Sequence, residues 1–181
     1  MIACVPPFAV DLFRENEYNR DMGGRSDMKL YLETTVFNYY FDSERDGHAD
    51  TVRLFEKIRL GYYQAYTSGY TVEELLDAPE PKRSKMMALI DEHDVEILSV
   101  TEKTNMLADI YVEQGVVPSR FRLDGAHIAI ASIHGLDCVI SYNFQHINRV
   151  KAKFLAERVN HENGYKTAVI CTAKEVLDDE R

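Results

Sequence analysis

The stretch that decides the fold is LDGAHIAIASIHGLDCVISYNFQHI, Leu123–Ile147. Leu123, Ala126, His127, Ile130, Ala131 and His134 recur at the spacing of one helical face, and Gly135 is a stop signal because glycine accepts a left-handed backbone without steric cost. Asp124 therefore stands in the first turn of a helix. Asp137 then opens the apolar run Cys138, Val139, Ile140, which is too short for a helix and rich in β-branched residues, so a buried strand is predicted. Ser141, Tyr142 and Asn143 follow at its C-terminal end, where open α/β sheets gather their ligands. Asp124 can reach that end from the neighbouring helix.

Outward from this block the chain alternates strands and helices. Strands are predicted at Lys29–Glu33, Gln64–Thr67, Val95–Val100 and Ala168–Cys171. Helices are predicted at Thr35–Phe41, Ala49–Leu60, Thr71–Leu76, Pro81–His93, Glu102–Gln114 and Ile147–Arg158, with a last turn at Lys174–Leu177 and a loop at Gly115–Phe121. Strands separated by helices imply a mainly parallel sheet covered on both faces. Residues 1–27 read differently, because Pro6 and Pro7 break the first apolar run and a polar stretch ends in Gly23 and Gly24. The domain proper is expected over residues 28–181, preceded by an extension that is either an upstream start or a docking arm built on Ile2, Val5, Phe8, Val10, Leu12 and Phe13.

The chain has 181 residues, enough for one domain with a real core. Its apolar runs fall far short of the about 18 residues that a membrane helix needs. The three cysteines, Cys4, Cys138 and Cys171, lie far apart without a CxxC pair, which speaks against a disulfide framework or a zinc site and for a reducing cytoplasm. A net charge of −9 does not mark a nucleic-acid binder, although basic residues gather at Lys82, Arg83 and Lys85, at Arg120 and Arg122, and at Arg149, Lys151, Lys153 and Arg158. Such clusters are usually solvated helix faces. Arg120 and Arg122 are candidate substrate contacts because they immediately precede Asp124.

Three carboxylates and one amide fall at equivalent places in this scheme. Glu33 closes the first strand, Glu74 lies on the short helix after the second, Asp124 opens the helix before the fourth, and Asn143 follows the fourth. Converging carboxylates repel in a low-dielectric cleft, and a divalent cation offsets that repulsion. Mg²⁺ or Mn²⁺ suits oxygen ligands, and the chemistry implied is metal-assisted phosphodiester hydrolysis. Each position has a plainer reading. Glu33 could cap the next helix, Glu74 stands beside Glu73 as an ordinary first-turn acid, Asp124 could serve the helix dipole, and Asn143 could shape a turn. Thr35 reads as a cap whose hydroxyl also orients Glu33. Asp137 reads as a surface residue, His127 and His134 as core or rim histidines, and His146, three residues after Asn143, as a minor candidate for catalysis. Tyr39, Tyr40, Tyr62, Tyr63 and Tyr66 offer base-stacking faces but read mostly as packing.

Four segments, YLETTVFNYYF, TSGYTVEELLDAP, RLDGAHIAIASIHGLDCVISYNFQHI and GYKTAVICTAKEVL, together resemble a PIN domain of the kind found in VapC-like toxin ribonucleases. The resemblance spans nearly all of Met28 to Leu177. It implies an α/β three-layer α/β/α sandwich, a homodimer, Mg²⁺- or Mn²⁺-dependent cleavage of RNA, and often a small antitoxin partner. By motif, Glu33 takes the place of the first family aspartate, Glu74 that of the glutamate, Asp124 that of the second aspartate, and Asn143 falls where a last acidic residue is common. Glu74 is preferred over Glu73 on this ground alone. Glutamate at 33 and a neutral amide at 143 depart from the pattern, and both favour one weakly held metal over two. The competing reading is a catalytically weakened PIN-like module that binds RNA or a protein. A dinucleotide enzyme is disfavoured because no GxGxxG follows the first strand, and a phosphoaspartyl hydrolase because ETT lacks the nucleophilic aspartate.

Overall fold

The computed structural model describes residues 27–143 and 150–178. The expectations for residues 1–26, for His146 and for the start of the basic helix at Ile147 lie outside the described residues. Five strands, β1 (Lys29–Leu32), β2 (Gln64–Ser68), β3 (Glu96–Leu98), β4 (Cys138–Ile140) and β5 (Val169–Cys171), form one sheet in the order β3-β2-β1-β4-β5. Every pairing is parallel, with Tyr31 opposite Tyr66 on one side and Val139 on the other. The intervening helices are α1 (Thr34–Tyr40), α2 (His48–Arg59), α3 (Gly69–Leu76), α4 (Lys82–Glu92), α5 (Glu102–Glu113), α6 (Arg122–Ile133), α7 (Val150–Glu162) and α8 (Ala173–Asp178). All the predicted elements of the described chain are present, most with ends shifted by a residue or two. Helix α7 changes most, running on to Glu162 where Arg158 was the expected end, and α3 begins at Gly69 and not at Thr71. The predicted loop before α6 contains a single 3₁₀ turn at Ser119–Phe121.

Alternation along the central strands divides the core. Leu30 and Leu32 of β1 and Cys138 and Ile140 of β4 pack on one face with Val36, Phe37, Leu54, Phe55, Leu75, Leu89 and Val176, from α1 to α4 and α8. Tyr31 and Val139 point to the other face, against Leu107, Tyr111, Ile128, Ile130 and Val159, from α5 to α7. Helices thus cover both sides, and the molecule is a three-layer α/β/α sandwich. A fully covered parallel sheet needs apolar residues at successive positions, which is why β4 reads as the unbroken run CVI.

Helix α6 carries Asp124 and is unusually deep: every residue from Gly125 to Ser132 is buried. A Cβ on Gly125 would lie 3.0 Å from Val117 Cγ2, so glycine there lets the helix approach its neighbours closely. Burial of Ile128 and Ile130 contributes about 1.5–3 kcal/mol each. Gly135, at φ +65°, ends the helix as predicted. Buried Asn160 of α7 accepts from Tyr111 Oη at 2.5 Å and donates to Ser132 Oγ and Thr167 Oγ1 at 3.1 Å. It ties α5, α6 and α7 together behind the sheet. No helix among the described residues is long and apolar enough to cross a membrane.

Candidate metal centre

Strand order reverses at the β1–β4 pair, because the chain proceeds outward to β2 and β3 on one side and to β5 on the other. In an open parallel sheet, such a reversal leaves a crevice beyond the C-terminal ends of the two strands. The residues that emerge there are Glu33 after β1 and Ser141 to Asn143 after β4. Glu74 arrives from α3 and His127 from α6.

Glu33 lies just past the last paired residue of β1, and its N–H still joins the ladder by donating to the Ile140 carbonyl at 3.1 Å. It is the N-cap of α1, with extended backbone at φ −82° and ψ 162°. The capping role expected of Thr35 therefore belongs to Glu33, because the helix starts one residue earlier, at Thr34. Glu33 is 6% exposed. Its Oε2 accepts from the Thr35 N–H at 3.1 Å, from Thr35 Oγ1 at 2.5 Å and from Ser141 Oγ at 2.8 Å. Thr35 Oγ1 in turn accepts from the Tyr142 N–H at 2.9 Å, and Ser141 Oγ from the Asn143 N–H at 3.1 Å. Two hydroxyls thus hold the carboxylate and the turn after β4 in one network.

Glu74 Oε2 accepts a hydrogen bond from Thr34 Oγ1 and lies 3.4 Å from His127 Nε2. Burial pushes the Glu74 carboxyl pKa up, but the hydrogen bonds from His127 and Thr34 and the attraction of His127 outweigh it, leaving the pKa below the ordinary glutamate value. His127 is fully enclosed, and its Nδ1 lies 2.6 Å from Tyr31 Oη, which also contacts Ser68 Oγ at 2.6 Å and Thr71 Oγ1 at 3.3 Å. Burial, partly offset by these hydroxyls, pushes the Tyr31 phenol far up, so it stays protonated. Ligand atoms of Glu33, Glu74 and His127 all lie within 4.8 Å of one another. Two donors about 2.1 Å from one ion stand about 3.0 Å apart when cis and about 4.2 Å when trans, so this set needs only a small contraction to hold a divalent cation.

Of the residues singled out from sequence, Glu33 and Glu74 belong to this cluster. Asp124 occupies the first turn of α6, one helical turn before His127 and on the same face, with Oδ2 screened from solvent, but it is not one of the three that meet within 4.8 Å. Asn143 stands three residues beyond the end of β4 with an exposed side chain. Arg122 is engaged elsewhere: its Nε donates to Asp109 Oδ1 at 2.5 Å and its Nη2 reaches the carbonyl of Asn105. Arg120 lies over the Phe121 ring at 4.8 Å. Asp137 is more than a surface residue, since its carboxylate accepts from the Lys29 N–H at 2.8 Å and pairs with Lys166, joining β1 to the approach of β5. Of the tyrosines, Tyr39 stacks on Tyr142 at 3.8 Å and Tyr63 is buried.

The residue that sequence reasoning passed over is His127. Its neighbours Ala126, Ile128, Ala129 and Ile130 suggested a core position, which it does occupy. The available signal was its spacing of three from Asp124, which puts both side chains on one helical face.

No family model matches the sequence, and no curated protein matches it. Among solved structures, a chain of VapBC2 from Rickettsia felis, crystallised bound to a DNA fragment from their promoter, superposes with a TM-score of 0.52 at 14% identity, covering 80% of this chain and 98% of that one. VapC20 of Mycobacterium tuberculosis, a Sarcin-Ricin loop cleaving toxin, superposes with a TM-score of 0.49 at 16% identity, covering 67% of this chain and 97% of that one. At such identities the likeness is one of fold, and the fold of this chain is PIN-like: a five-stranded parallel sheet between two helical layers, with an acidic cluster where the strand order reverses.

Proposed function

We propose that the protein is a metal-dependent endoribonuclease whose Glu33, Glu74 and Asp124 hold Mg²⁺ or Mn²⁺, with Asn143 at the edge of the site. The observation that carries this reading is the meeting of Glu33 and Glu74, brought from separate elements to within 4.8 Å at the reversal of strand order. Two carboxylates held that close without a neighbouring lysine or arginine among the described residues make a site that attracts a cation. A bound divalent ion supplies an activated water and neutralises charge on the phosphate. Glu33, fixed by three donors, is the preorganised ligand, while Glu74 is held by Thr34 and His127. Thr35 positions Glu33 and Arg122 braces α6 against α5, while Arg120 is proposed as an RNA contact because it precedes Asp124 by four residues. The role of toxin in a toxin–antitoxin pair, with a small antitoxin partner and a homodimeric state, is part of the same proposal and is supported by the fold shared with a chain of a VapBC assembly.

The test is cleavage of a mixed RNA substrate by the purified chain with Mg²⁺, with Mn²⁺ and with EDTA. Cleavage that needs the ion and disappears in Glu33→Gln and Glu74→Gln is expected. RNA binding without cleavage under every metal condition would replace this reading with that of a catalytically weakened binding module.

A further inference from the structure

Behind Glu74 Oε2 runs a buried chain of groups that the proposed reaction does not use: His127 Nε2 and Nδ1, Tyr31 Oη, then Ser68 Oγ and Thr71 Oγ1. Tyr31, His127, Ser68 and Thr71 are all buried. A phenol has one proton to donate and lone pairs to accept, a hydroxyl likewise, and a neutral imidazole donates from one nitrogen and accepts at the other. The contacts therefore support two complete arrangements. In one, Ser68 donates to Tyr31, Tyr31 donates to His127 Nδ1, and His127 donates from Nε2 to Glu74. In the other, Nδ1–H donates to Tyr31, Tyr31 donates to Ser68, and Nε2 presents a lone pair to the two carboxylates. The two arrangements differ in which ring nitrogen carries the proton, Nε2 in the first and Nδ1 in the second.

We propose that His127 is a nitrogen ligand of the metal through Nε2, and that Tyr31, backed by Ser68, fixes the tautomer that frees this nitrogen. The inference rests on the metal-site reading given above and deepens it by naming the ion class. Glu33, Glu74 and His127 make a mixed oxygen and nitrogen donor set. Imidazole bonds Mg²⁺ poorly and is accepted more readily later in the first transition row, so the set discriminates in favour of Mn²⁺ over Mg²⁺. The Tyr31 contact at 2.6 Å is the outer partner that metal-bound histidines characteristically have, and loss of such a partner costs about 10- to 100-fold in affinity.

The test uses the full chain and needs no turnover. Mn²⁺ is added to protein stripped of metal, and pulsed electron paramagnetic resonance reads whether a histidine nitrogen is directly bound, with isotope-labelled histidine to identify the coupling. Calorimetry gives Mn²⁺ and Mg²⁺ affinities for wild type, H127Q and Y31F. The expected result is nitrogen coupling in wild type and Y31F but not in H127Q, with Mn²⁺ affinity at least about tenfold lower in both variants and Mg²⁺ affinity changed less than about threefold. Should H127Q fail to fold, the coupling must survive in variants lacking any one of His48, His93, His134, His146 and His161. Bound Mn²⁺ without nitrogen coupling overturns the role of His127 and leaves an all-oxygen metal site. No Mn²⁺ binding at all overturns the metal site itself.

Discussion

Replacing Glu33 by glutamine separates its two roles, capping α1 and facing a second carboxylate. In the metal-free protein, the charges of Glu33 and Glu74, with ligand atoms no more than 4.8 Å apart, repel by about 3.5 kcal/mol at an effective dielectric constant near 20. Glu74 is 35% exposed, so screening by water brings this closer to about 2 kcal/mol. Against that gain, the bonds from Thr35 N–H, Thr35 Oγ1 and Ser141 Oγ to Oε2 change from charge-assisted to neutral. At about 0.5–1 kcal/mol each the loss is about 2 kcal/mol, provided that the glutamine carbonyl takes the place of Oε2. The two effects nearly cancel. Urea unfolding in EDTA should therefore place Glu33→Gln within about 1 kcal/mol of wild type, while Glu33→Leu, which leaves three donors without an acceptor, loses about 3 kcal/mol or more. With Mn²⁺ at a hundredfold excess over its dissociation constant, wild type should gain about 2.7 kcal/mol and the glutamine variant much less. If Glu33→Gln were as unstable as Glu33→Leu in EDTA, the charge would be a structural requirement of the cap. If it gained as much from Mn²⁺ as wild type, Glu33 would not belong to a metal site.

Asp124→Asn should melt within a few degrees of wild type and lose most of its Mn²⁺ affinity, measured calorimetrically; unchanged affinity would leave Asp124 as a helix-dipole residue only. Asn143→Asp should bind Mn²⁺ more tightly and melt lower than wild type in EDTA, and an equal metal response in the two proteins would place residue 143 away from the cluster. Asp137 gives a pH signature. Burial alone would raise its pKa, but Lys166 and the Lys29 N–H hold the folded-state value below the ordinary aspartate value. A depressed folded pKa adds stability above the unfolded value of about 3.9, and that stability is lost as pH falls below it through the folded value. Acid unfolding curves of Asp137→Asn should therefore approach wild type as pH falls below about 3.9 and through the lower folded-state value, and a gap that does not narrow as pH falls would show that the carboxylate charge is not what matters.

The fold was legible because its determinants are local and repeated. Leu30, Tyr31 and Leu32 are apolar at every position because the strand is covered on both faces, and Gly135 stops α6 where no side chain would be comfortable at φ +65°. The site was legible where chemistry departs from the surrounding pattern. Glu33 ends an apolar run, and a carboxylate there needs an explanation from outside the strand. His127 was not legible as a site residue because α6 is buried almost all round, so no apolar face contrasts with a functional one. Arg122 misled for the opposite reason. Its neighbour in sequence is Asp124, but its partner is Asp109 on α5, and only the packing of the two helices brings that carboxylate to it. Asp137 went unrecognised because its main acceptor role is to a backbone N–H more than a hundred residues away.

What the site does with charge follows from the groups that surround it. Glu33 and Glu74 are held by Thr34, Thr35, Ser141 and His127, and among the described residues neither forms an ion pair with lysine or arginine. A guanidinium there would satisfy the carboxylates permanently and compete with any cation. Hydroxyls hold an oxygen in place while leaving most of the negative charge uncompensated, and they can rotate when an ion arrives. If the site binds a metal as proposed, the arrangement returns on binding the stability that the paired carboxylates cost without the ion, which ties folding to metal more closely than a salt-bridged site would. The proposed Tyr31 and His127 contact belongs to the same design. A phenol that accepts from Nδ1–H leaves Nε2 free for the ion without adding a charged group to the core that surrounds it.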